Sequence, residues 1–405
     1  MKNQLLHTPE GVRDIYNKEC ARKLALQEEL HKEFALCGYK DIQTPTFEFF
    51  DIFNKERGSV ASREMFKFFD RDGNTLVLRP DITPSVARAA TKYFMDEDMP
   101  IRLCYMGNTY INNSSYQGRL KEVTQLGCEL IGDATVDADA EVIAMVIRCM
   151  KRSGLEDFQV QIGQVDYFNG LVEMAGIDED TENELRELIE NKNYFGVDEL
   201  LGEKKIPAEL KKSFMGMAEL FGGEEVLSLA RKNTSNEKSL KAVDRLCKLY
   251  SALKHYKLEQ HVSFEFDMLG HYKYYTGIIF RAYSYGTGDA IVTGGRYDNL
   301  MAQFGKDAPS IGFAIVMDRL MLALSSQKIK VKLPEGQTIV LYEQEAYGIA
   351  VEKACALRDE GVRVELIRKF QEKTLDNYIE YANSYGAARL YYYDKASEVS
   401  EVKIK

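Results

Sequence analysis

The hydrophobic positions near the start of the chain recur at helical spacing. Over residues 19–37, Leu24, Leu30 and Phe34 lie on one face with charged residues between them, which predicts an amphipathic helix packed on a core. A second helix is expected over residues 137–153. We expect Asp137 to cap its N-terminus, because short acidic side chains accept hydrogen bonds from the first free N–H groups.

Alternating apolar positions indicate strands in several segments. Phe66 and Phe68 alternate on one arm of a predicted hairpin, and Leu76 and Leu78 alternate on the other. The Asp-Gly pair between the arms is a strong turn signal. The same reasoning predicts further strands in the segments FQVQIGQ, VSFEFDML, YYTGIIFRAYS and DAIVTGGRYD.

The order of these elements predicts an α+β protein with an antiparallel sheet and flanking helices. We expect a core over residues 1–325, interrupted by a helical insertion at about 167–258. After a polar linker, residues 332–405 alternate strands and helices. This alternation indicates a small α/β domain with a mostly parallel sheet.

Composition narrows the possible classes of protein. The 405 residues are 45% hydrophobic, and the longest apolar runs fall short of the roughly 20 residues that a membrane span needs. The N-terminal segment lacks an export signal, so we expect a cytoplasmic protein. A net charge of −10 disfavours nucleic acid as a partner. The seven cysteines are scattered singly, so we predict neither a disulfide framework nor a metal site.

Seven segments, in order along the chain, carry a family resemblance: TPEGVRD, TPTFEFFDIF, EMFKFFDRDGNTLVLRPDITPSVAR, YMGNTYINNSSYQGRLKEVTQLGCELIG, YYTGIIF, TGGRYDNL and SIGFAIVMDRL. Together they resemble class II aminoacyl-tRNA synthetases, specifically the histidyl enzyme and its paralogue, the regulatory subunit of ATP phosphoribosyltransferase. The resemblance implies the class II synthetase-like fold. Residues 332–405 resemble a shortened anticodon-binding domain.

The resemblance also implies a histidine pocket. Its residues by position are Asp81, Thr83, Gln125, Glu129, Tyr274 and Tyr275. We expect the first three to receive the α-ammonium group, and Glu129 with Tyr275 to receive the imidazole. A charge-assisted hydrogen bond to a buried carboxylate is worth roughly 1.5–3 kcal/mol, enough to select a ring N–H. The alternative for Glu129 is a structural carboxylate satisfied by its neighbours.

The groups for activating an amino acid with ATP look lost. The resemblance implies an Arg and a Glu where this chain has Ile111 and Asn113, and a catalytic Arg where it has Gly270. Negative charge developing on the α-phosphate needs preplaced cations, and a transition-state arginine can be worth about 10³–10⁵ in rate. We therefore predict that adenylate formation is absent.

Nearby cations that could substitute are Arg119, Lys121 and Lys273, but a lysine does not reproduce the bidentate guanidinium contact at a shifted position. Arg119 and Arg319 are assigned to a vestigial nucleotide site. For Arg319 the alternatives are contact with a nucleotide or pairing with a carboxylate such as Asp318 or Glu129.

The favoured interpretation is a regulatory subunit without catalytic activity of its own. The resemblance implies that such a protein assembles with the short-form catalytic subunit of ATP phosphoribosyltransferase, forms a homodimer within a hetero-oligomer, and responds to L-histidine as effector. No tRNA partner and no cofactor are expected. The alternatives are an active histidyl-tRNA synthetase and a freestanding histidine sensor.

Overall fold

The structure is a computed structural model that describes residues 6–54, 60–113, 120–270, 274–333 and 336–404. Its helices are α1 (Asn17–Leu36), α2 (Thr83–Tyr93), α3 (Val136–Arg152), α4 (Val165–Ala175), α5 (Glu179–Glu190), α6 (Tyr194–Glu203), α7 (Ala208–Gly216), α8 (Glu225–Lys232), α9 (Glu237–Tyr256), α10 (Met317–Ser326), α11 (Tyr347–Asp359) and α12 (Leu375–Tyr385). Its strands are β1 (Lys40–Asp41), β2 (Phe47–Phe49), β3 (Lys67–Phe69), β4 (Thr75–Leu78), β5 (Ile101–Tyr110), β6 (Glu122–Ile131), β7 (Phe158–Gln164), β8 (Phe221–Gly222), β9 (Val262–Glu265), β10 (Ile278–Ser284), β11 (Val292–Arg296), β12 (Ser310–Val316), β13 (Thr338–Tyr342), β14 (Val364–Arg368), β15 (Arg389–Tyr393) and β16 (Val399–Val402).

The chain divides into two compact units, residues 1–331 and 332–405. The first unit is built on a nine-stranded sheet with the strand order β1-β5-β6-β12-β11-β10-β7-β9-β8. The sheet is antiparallel, as predicted, except at the β1-β5 and β7-β9 pairs, which are parallel. The two ten-residue strands β5 and β6 lie near one end and pair along their whole length.

Helices α1 and α3 belong to the large core of this unit. Leu30 and Phe34 of α1 are buried as predicted, but Leu24 is 60% exposed, so it lies off the packed face. The cap of α3 also differs from the prediction. Thr135, not Asp137, is the N-cap residue, and its side chain accepts a hydrogen bond from Ala138 N. The helix therefore starts one residue earlier than expected, and Asp137 lies in its first turn.

The segment between β7 and β9 is helical, from α4 through α9, and the two-residue strand β8 interrupts it. Helix α9 packs against α4 and α3 through buried residues such as Val243, Leu246 and Leu253. This segment, residues 165–256, is referred to below as the insertion.

The predicted hairpin around Asp72 and Gly73 is present as β3 and β4, with Phe68 opposite Leu76. It joins β2 in a three-stranded sheet of order β2-β4-β3. Gly73 has a φ of +83°, a conformation that favours glycine and closes the turn. Phe47 and Phe49 of β2 and Phe69 of β3 are more than half exposed.

The second unit has a four-stranded sheet of order β14-β13-β15-β16 with helices α11 and α12. The β14-β13-β15 part is parallel, as the alternation of strands and helices predicts. Strand β16 was not predicted, because its sequence VSEV is short and largely exposed, and it pairs antiparallel to β15. Nowhere in the described ranges is there a helix long and apolar enough to cross a membrane.

Candidate functional site

Six side chains that the sequence assigns to a ligand pocket lie around one small cavity. They are Asp81, Thr83, Gln125, Glu129, Tyr274 and Tyr275. The first two flank the start of α2, the next two lie on β6, and the tyrosines precede β10. Residues far apart in the sequence thus meet on one face of the large sheet.

Glu129 is the most deeply buried polar group of this pocket, at 1% exposure. Thr83 Oγ1 donates to its Oε1 at 2.7 Å, and the Tyr297 hydroxyl donates to its Oε2. Burial raises the pKa of Glu129 to about 8, and the nearby Asp81 carboxylate adds to the rise, whereas the hydrogen bonds from Tyr297 and Thr83 oppose it. The described surroundings of Glu129 thus supply hydroxyl donors rather than a cation.

Asp81 forms the second acidic wall of the pocket. Its Oδ2 accepts a hydrogen bond from the Tyr274 hydroxyl at 2.9 Å, and its Oδ1 accepts from the backbone N–H groups of Ile82 and Thr83 at 2.7 and 3.3 Å. The carboxylate therefore fixes Tyr274 against the beginning of α2. The ring of Tyr275 packs beside that of Tyr274, with centroids 5.0 Å apart.

Glycines make room for these side chains. Gly312 of β12 lies directly opposite Glu129 in the sheet, and a Cβ at Gly312 would come within 1.6 Å of Glu129 Oε2. A Cβ at Gly295 would lie 2.7 Å from the Tyr275 ring. Such distances are far below normal contact, so these positions need glycine because the pocket side chains fill the space above them.

The cavity between these walls has a volume of about 20 Å³, room for roughly one water molecule. Gln125 Oε1 is buried there and has no hydrogen-bond partner among the described residues. A buried acceptor without a donor costs free energy, so this atom favours a ligand that brings an N–H group. An amino acid enters only if the walls move apart, because the present space is too small.

A much larger cleft of about 1200 Å³ adjoins the pocket, and Gln125 and Thr293 line both. Ile111, Asn113 and Lys121 line this cleft. The positions assigned to lost phosphate-handling groups therefore face it. Arg119 and Lys273, considered above as replacement cations, lie outside the described residues.

Two of the arginines that line the cleft, Arg13 and Arg319, are held by the protein's own groups. Arg13 is 2.6 Å from Glu19 and 3.7 Å from Asp318. Arg319 donates to the Ala290 carbonyl at 2.7 Å and pairs with Asp289 at 3.3 Å. Arg319 thus pairs with a carboxylate, which was one of the two alternatives, but the partner is Asp289 rather than Asp318 or Glu129.

Gly270, at the third lost position, has a φ of +82°, and a Cβ there would lie 3.2 Å from Tyr275 Cδ2. The left-handed backbone is unfavourable for any other residue. The local conformation has thus been adapted to glycine.

Sequence reasoning missed Tyr297, although it lies within the quoted segment TGGRYDNL. Its role as a donor depends on the pairing of β11 with β12, which brings Tyr297 next to Glu129, and no local sequence pattern indicates this contact.

Outside the pocket, the fold also brings together potential metal ligands on His31, Asp41 and Cys104, with ligand atoms within 4.8 Å of one another. These residues come from α1, β1 and β5, so spacing in the sequence did not reveal the cluster.

Comparisons with known proteins agree with this geometry. A family model described as Histidyl-tRNA synthetase matches residues 11–320. The ATP phosphoribosyltransferase regulatory subunit of Acetivibrio thermocellus is 40% identical over 361 residues, which cover 89% of this chain and 86% of the relative. That of Ruminiclostridium cellulolyticum is 37% identical and covers 96% of this chain and 91% of the relative.

Solved structures give the same result. One described as an ATP phosphoribosyltransferase regulatory subunit/histidyl-tRNA synthetase from Bacillus halodurans C has a TM-score of 0.83 at 32% identity, covering 96% of this chain and 97% of that one. Histidyl-tRNA synthetase from Nostoc sp. PCC 7120 has a TM-score of 0.80 at 19% identity, covering 98% of this chain and 96% of that one, which is a likeness of fold.

The fold and the match over residues 11–320 define a class II synthetase-like protein of the histidyl-tRNA synthetase type. Within that class, the chain belongs to the family of ATP phosphoribosyltransferase regulatory subunits. The predicted fold class and the predicted regulatory role are thereby confirmed. The chain is a subunit of an enzyme of histidine biosynthesis and not itself the catalytic polypeptide.

The space above Gly312 gives a direct test of the pocket's construction. We expect Gly312→Ala to destabilise the protein by about 1–3 kcal/mol, because the added methyl group must displace the Glu129 carboxylate. Chemical denaturation measures the free energy of unfolding. Gly288→Ala is the matched control, since a Cβ there meets nothing within 4 Å. Equal stability of the two variants would contradict the packing described here.

Proposed function

We propose that this chain enables a short-form ATP phosphoribosyltransferase catalytic subunit to work, and that L-histidine bound in the Glu129 pocket inhibits the assembly. The observation that carries the proposal is the buried carboxylate of Glu129, which lies beside the acidic wall of Asp81. Two acidic groups around an enclosed space suit a ligand with two separate nitrogen donors. Histidine has such donors in its α-ammonium group and its imidazole ring.

The charge state of Glu129 supports this choice of ligand. With its pKa raised to about 8 by burial, the carboxyl group is mostly protonated at neutral pH in the ligand-free pocket. A ring N–H or an imidazolium at hydrogen-bond distance would favour the ionised form. Binding of such a group therefore recovers part of the free energy that burial of the carboxylate costs, whereas an apolar side chain would recover none.

The α-ammonium end of the ligand has its own acceptors. Gln125 Oε1 is buried and, among the described residues, lacks a donor, and Asp81 lies on the same cavity. An ammonium group has three donors to satisfy. The carboxylate of the ligand would then point toward the cleft, which Gln125 and Thr293 join to the pocket.

Loss of amino-acid activation is part of the same proposal. The cleft has Ile111 and Asn113 at the positions where the resemblance implies an Arg for the α-phosphate and a Glu for the adenine, and Arg319 is already paired with Asp289. Restoring an arginine at residue 270 would place a side chain on a left-handed backbone next to Tyr275. Such preplaced charge must be held accurately to be effective, so one arginine would not restore catalysis.

We also propose that the chain forms a homodimer within the larger assembly. One face of the sheet of β2, β3 and β4 exposes Phe47, Phe49 and Phe68 by 54%, 55% and 37%. The rings of Phe47 and Phe68 already contact each other, with centroids 5.9 Å apart. A cluster of exposed aromatic side chains is typical of a surface that another protein covers, and a second copy of the chain is the simplest occupant.

The histidine response tests the role of Glu129. In the assembly of this chain with the catalytic subunit, we expect Glu129→Gln to raise the histidine concentration for half-inhibition by about 10- to 100-fold. That factor corresponds to loss of a charged hydrogen bond worth roughly 1.5–3 kcal/mol. The measurement is the rate of phosphoribosyl-ATP formation at increasing histidine concentration.

Glu156→Gln is the control for that experiment, because Glu156 is exposed and lines neither the pocket nor the cleft. Both variants should still activate the catalytic subunit when histidine is absent. An unchanged histidine response in Glu129→Gln would remove Glu129 from the effector site. Absence of any activation by the wild-type chain would overturn the proposed regulatory function itself.

The exposed aromatic surface predicts the oligomeric state. We expect Phe47→Asp with Phe49→Asp to convert a dimer of the isolated chain to a monomer, because charged side chains at a buried apolar interface are costly. Sedimentation velocity measures the change in mass. Phe370→Asp is the control, as Phe370 is similarly exposed, at 57%, in the second unit. A dimer that survives the double substitution would show that another surface mediates it.

A further inference from the structure

Residues at the junction between α5 and α6 form hydrogen bonds and ion pairs with the segment that follows β9 and precedes the paired tyrosines. Glu190, the last residue of α5, accepts hydrogen bonds at Oε1 from the backbone N–H groups of Leu269, at 2.5 Å, and of Gly270. The Glu190 side chain is only 7% exposed. A buried carboxylate from the insertion therefore holds the backbone four residues before Tyr274.

The same carboxylate also reaches the strand that follows the tyrosines. Glu190 Oε2 lies 3.4 Å from Arg281 on β10. Burial of the guanidinium is the largest single effect on the pKa of Arg281 and lowers it, but the Glu190 charge and the other nearby groups outweigh burial, so the pKa is raised. Glu190 thus contacts the chain on both sides of Tyr274 and Tyr275.

Two further side chains from the junction strengthen the grip. Lys192 Nζ is 2.6 Å from Glu265 and also pairs with Asp267, while the Tyr194 hydroxyl donates to Asp267 Oδ2 at 2.9 Å. Asp267 is buried, at 4% exposure. Lys192 has a φ of +57°, a left-handed conformation that costs roughly 1–2 kcal/mol and is retained where surrounding contacts outweigh it.

We propose that Glu190, Lys192 and Tyr194, called the insertion clasp below, are positioning residues for the pocket wall formed by Tyr274 and Tyr275. Glu190 holds the chain before the two tyrosines, at Leu269 and Gly270, and after them, at Arg281. The helical insertion therefore helps to determine the position of two side chains that line the pocket. The identity of the ligand rests on the proposed function, but the positioning role does not.

The small size of the pocket links the insertion clasp to ligand binding. Tyr274 is hydrogen-bonded to Asp81, and the cavity holds about 20 Å³, so a ligand of amino-acid size requires the pocket to widen, which we infer occurs at this wall. A shift at residues 274 and 275 alters the contacts that the flanking segments make with Glu190. Because Glu190 ends α5, occupancy of the pocket is transmitted to the α5-α6 junction of the insertion.

Amide hydrogen exchange of the ligand-free protein tests the positioning role. We expect Glu190→Ala to accelerate exchange in residues 274–284 by about tenfold, since the charged hydrogen bonds that restrain local opening are removed. Glu190→Gln keeps one acceptor oxygen and should give an intermediate rate. Exchange in the second unit should not change, whereas a general loss of stability would accelerate exchange throughout the chain.

Glu187→Ala is the matched control, because Glu187 lies on the same helix and is exposed. If Glu190→Ala fails to fold, Glu190→Gln and Tyr194→Phe give the same test with smaller changes. Exchange in residues 274–284 that matches the wild type in the clasp variants overturns the inference.

A calorimetric titration with L-histidine separates the inference from the proposed function. If the wild-type chain binds histidine, Glu190→Gln should weaken binding by about tenfold at a temperature well below the melting transition of the variant. Equal affinity in wild type and variant would overturn the link between clasp and pocket. If the wild-type chain fails to bind histidine, the ligand assignment is wrong, and the exchange rates alone decide the positioning role.

Discussion

The rest of the pocket depends on the burial of the Glu129 carboxylate. A carboxylate removed from water is tolerated only when donors and space are provided for it. Thr83 and Tyr297 supply the donors, and Gly312 supplies the space. These residues come from α2, from the segment after β11 and from β12, so the order of strands in the large sheet is what assembles the site.

The adjoining cleft differs from the pocket in its electrostatics. In the pocket, Glu129 keeps a raised pKa, and Gln125 has a buried acceptor that lacks a partner among the described residues, so the site favours a ligand with donors. In the cleft, Arg13 and Arg319 are neutralised by the carboxylates of Glu19 and Asp289. This contrast is what the proposed function requires, namely a place for an amino acid without its reaction with a nucleotide. It is consistent with membership of the regulatory-subunit family.

Sequence reasoning succeeded where the signal was local or carried by family motifs. The Asp-Gly turn predicted the β3-β4 hairpin, and LRPDITP with the paired tyrosines pointed to side chains that do line one cavity. It failed where the outcome depends on competition between neighbours. Thr135 caps α3 in place of Asp137, and Leu24 lies outside the packed face despite its helical spacing.

Contacts between distant segments were also beyond the sequence. Tyr297 reaches Glu129 across 168 positions, and Glu190 reaches Leu269 across 79, and neither pairing leaves a periodic pattern. Such contacts are set by the folded structure, so they can be identified only when the pairing of the strands is known. The same holds for Asp289, which is the carboxylate that pairs with Arg319 in place of the suggested Asp318 or Glu129.

The most direct measurement of the central claim is histidine-dependent exchange of labelled pyrophosphate into ATP, made on the purified chain. If the pocket recognises histidine but the cleft does not stabilise the reacting triphosphate, the exchange rate with histidine should equal the rate without histidine. Sustained exchange that depends on histidine and co-purifies with the chain would contradict the account, because the cleft would then supply the cations that its ion pairs are argued to withhold.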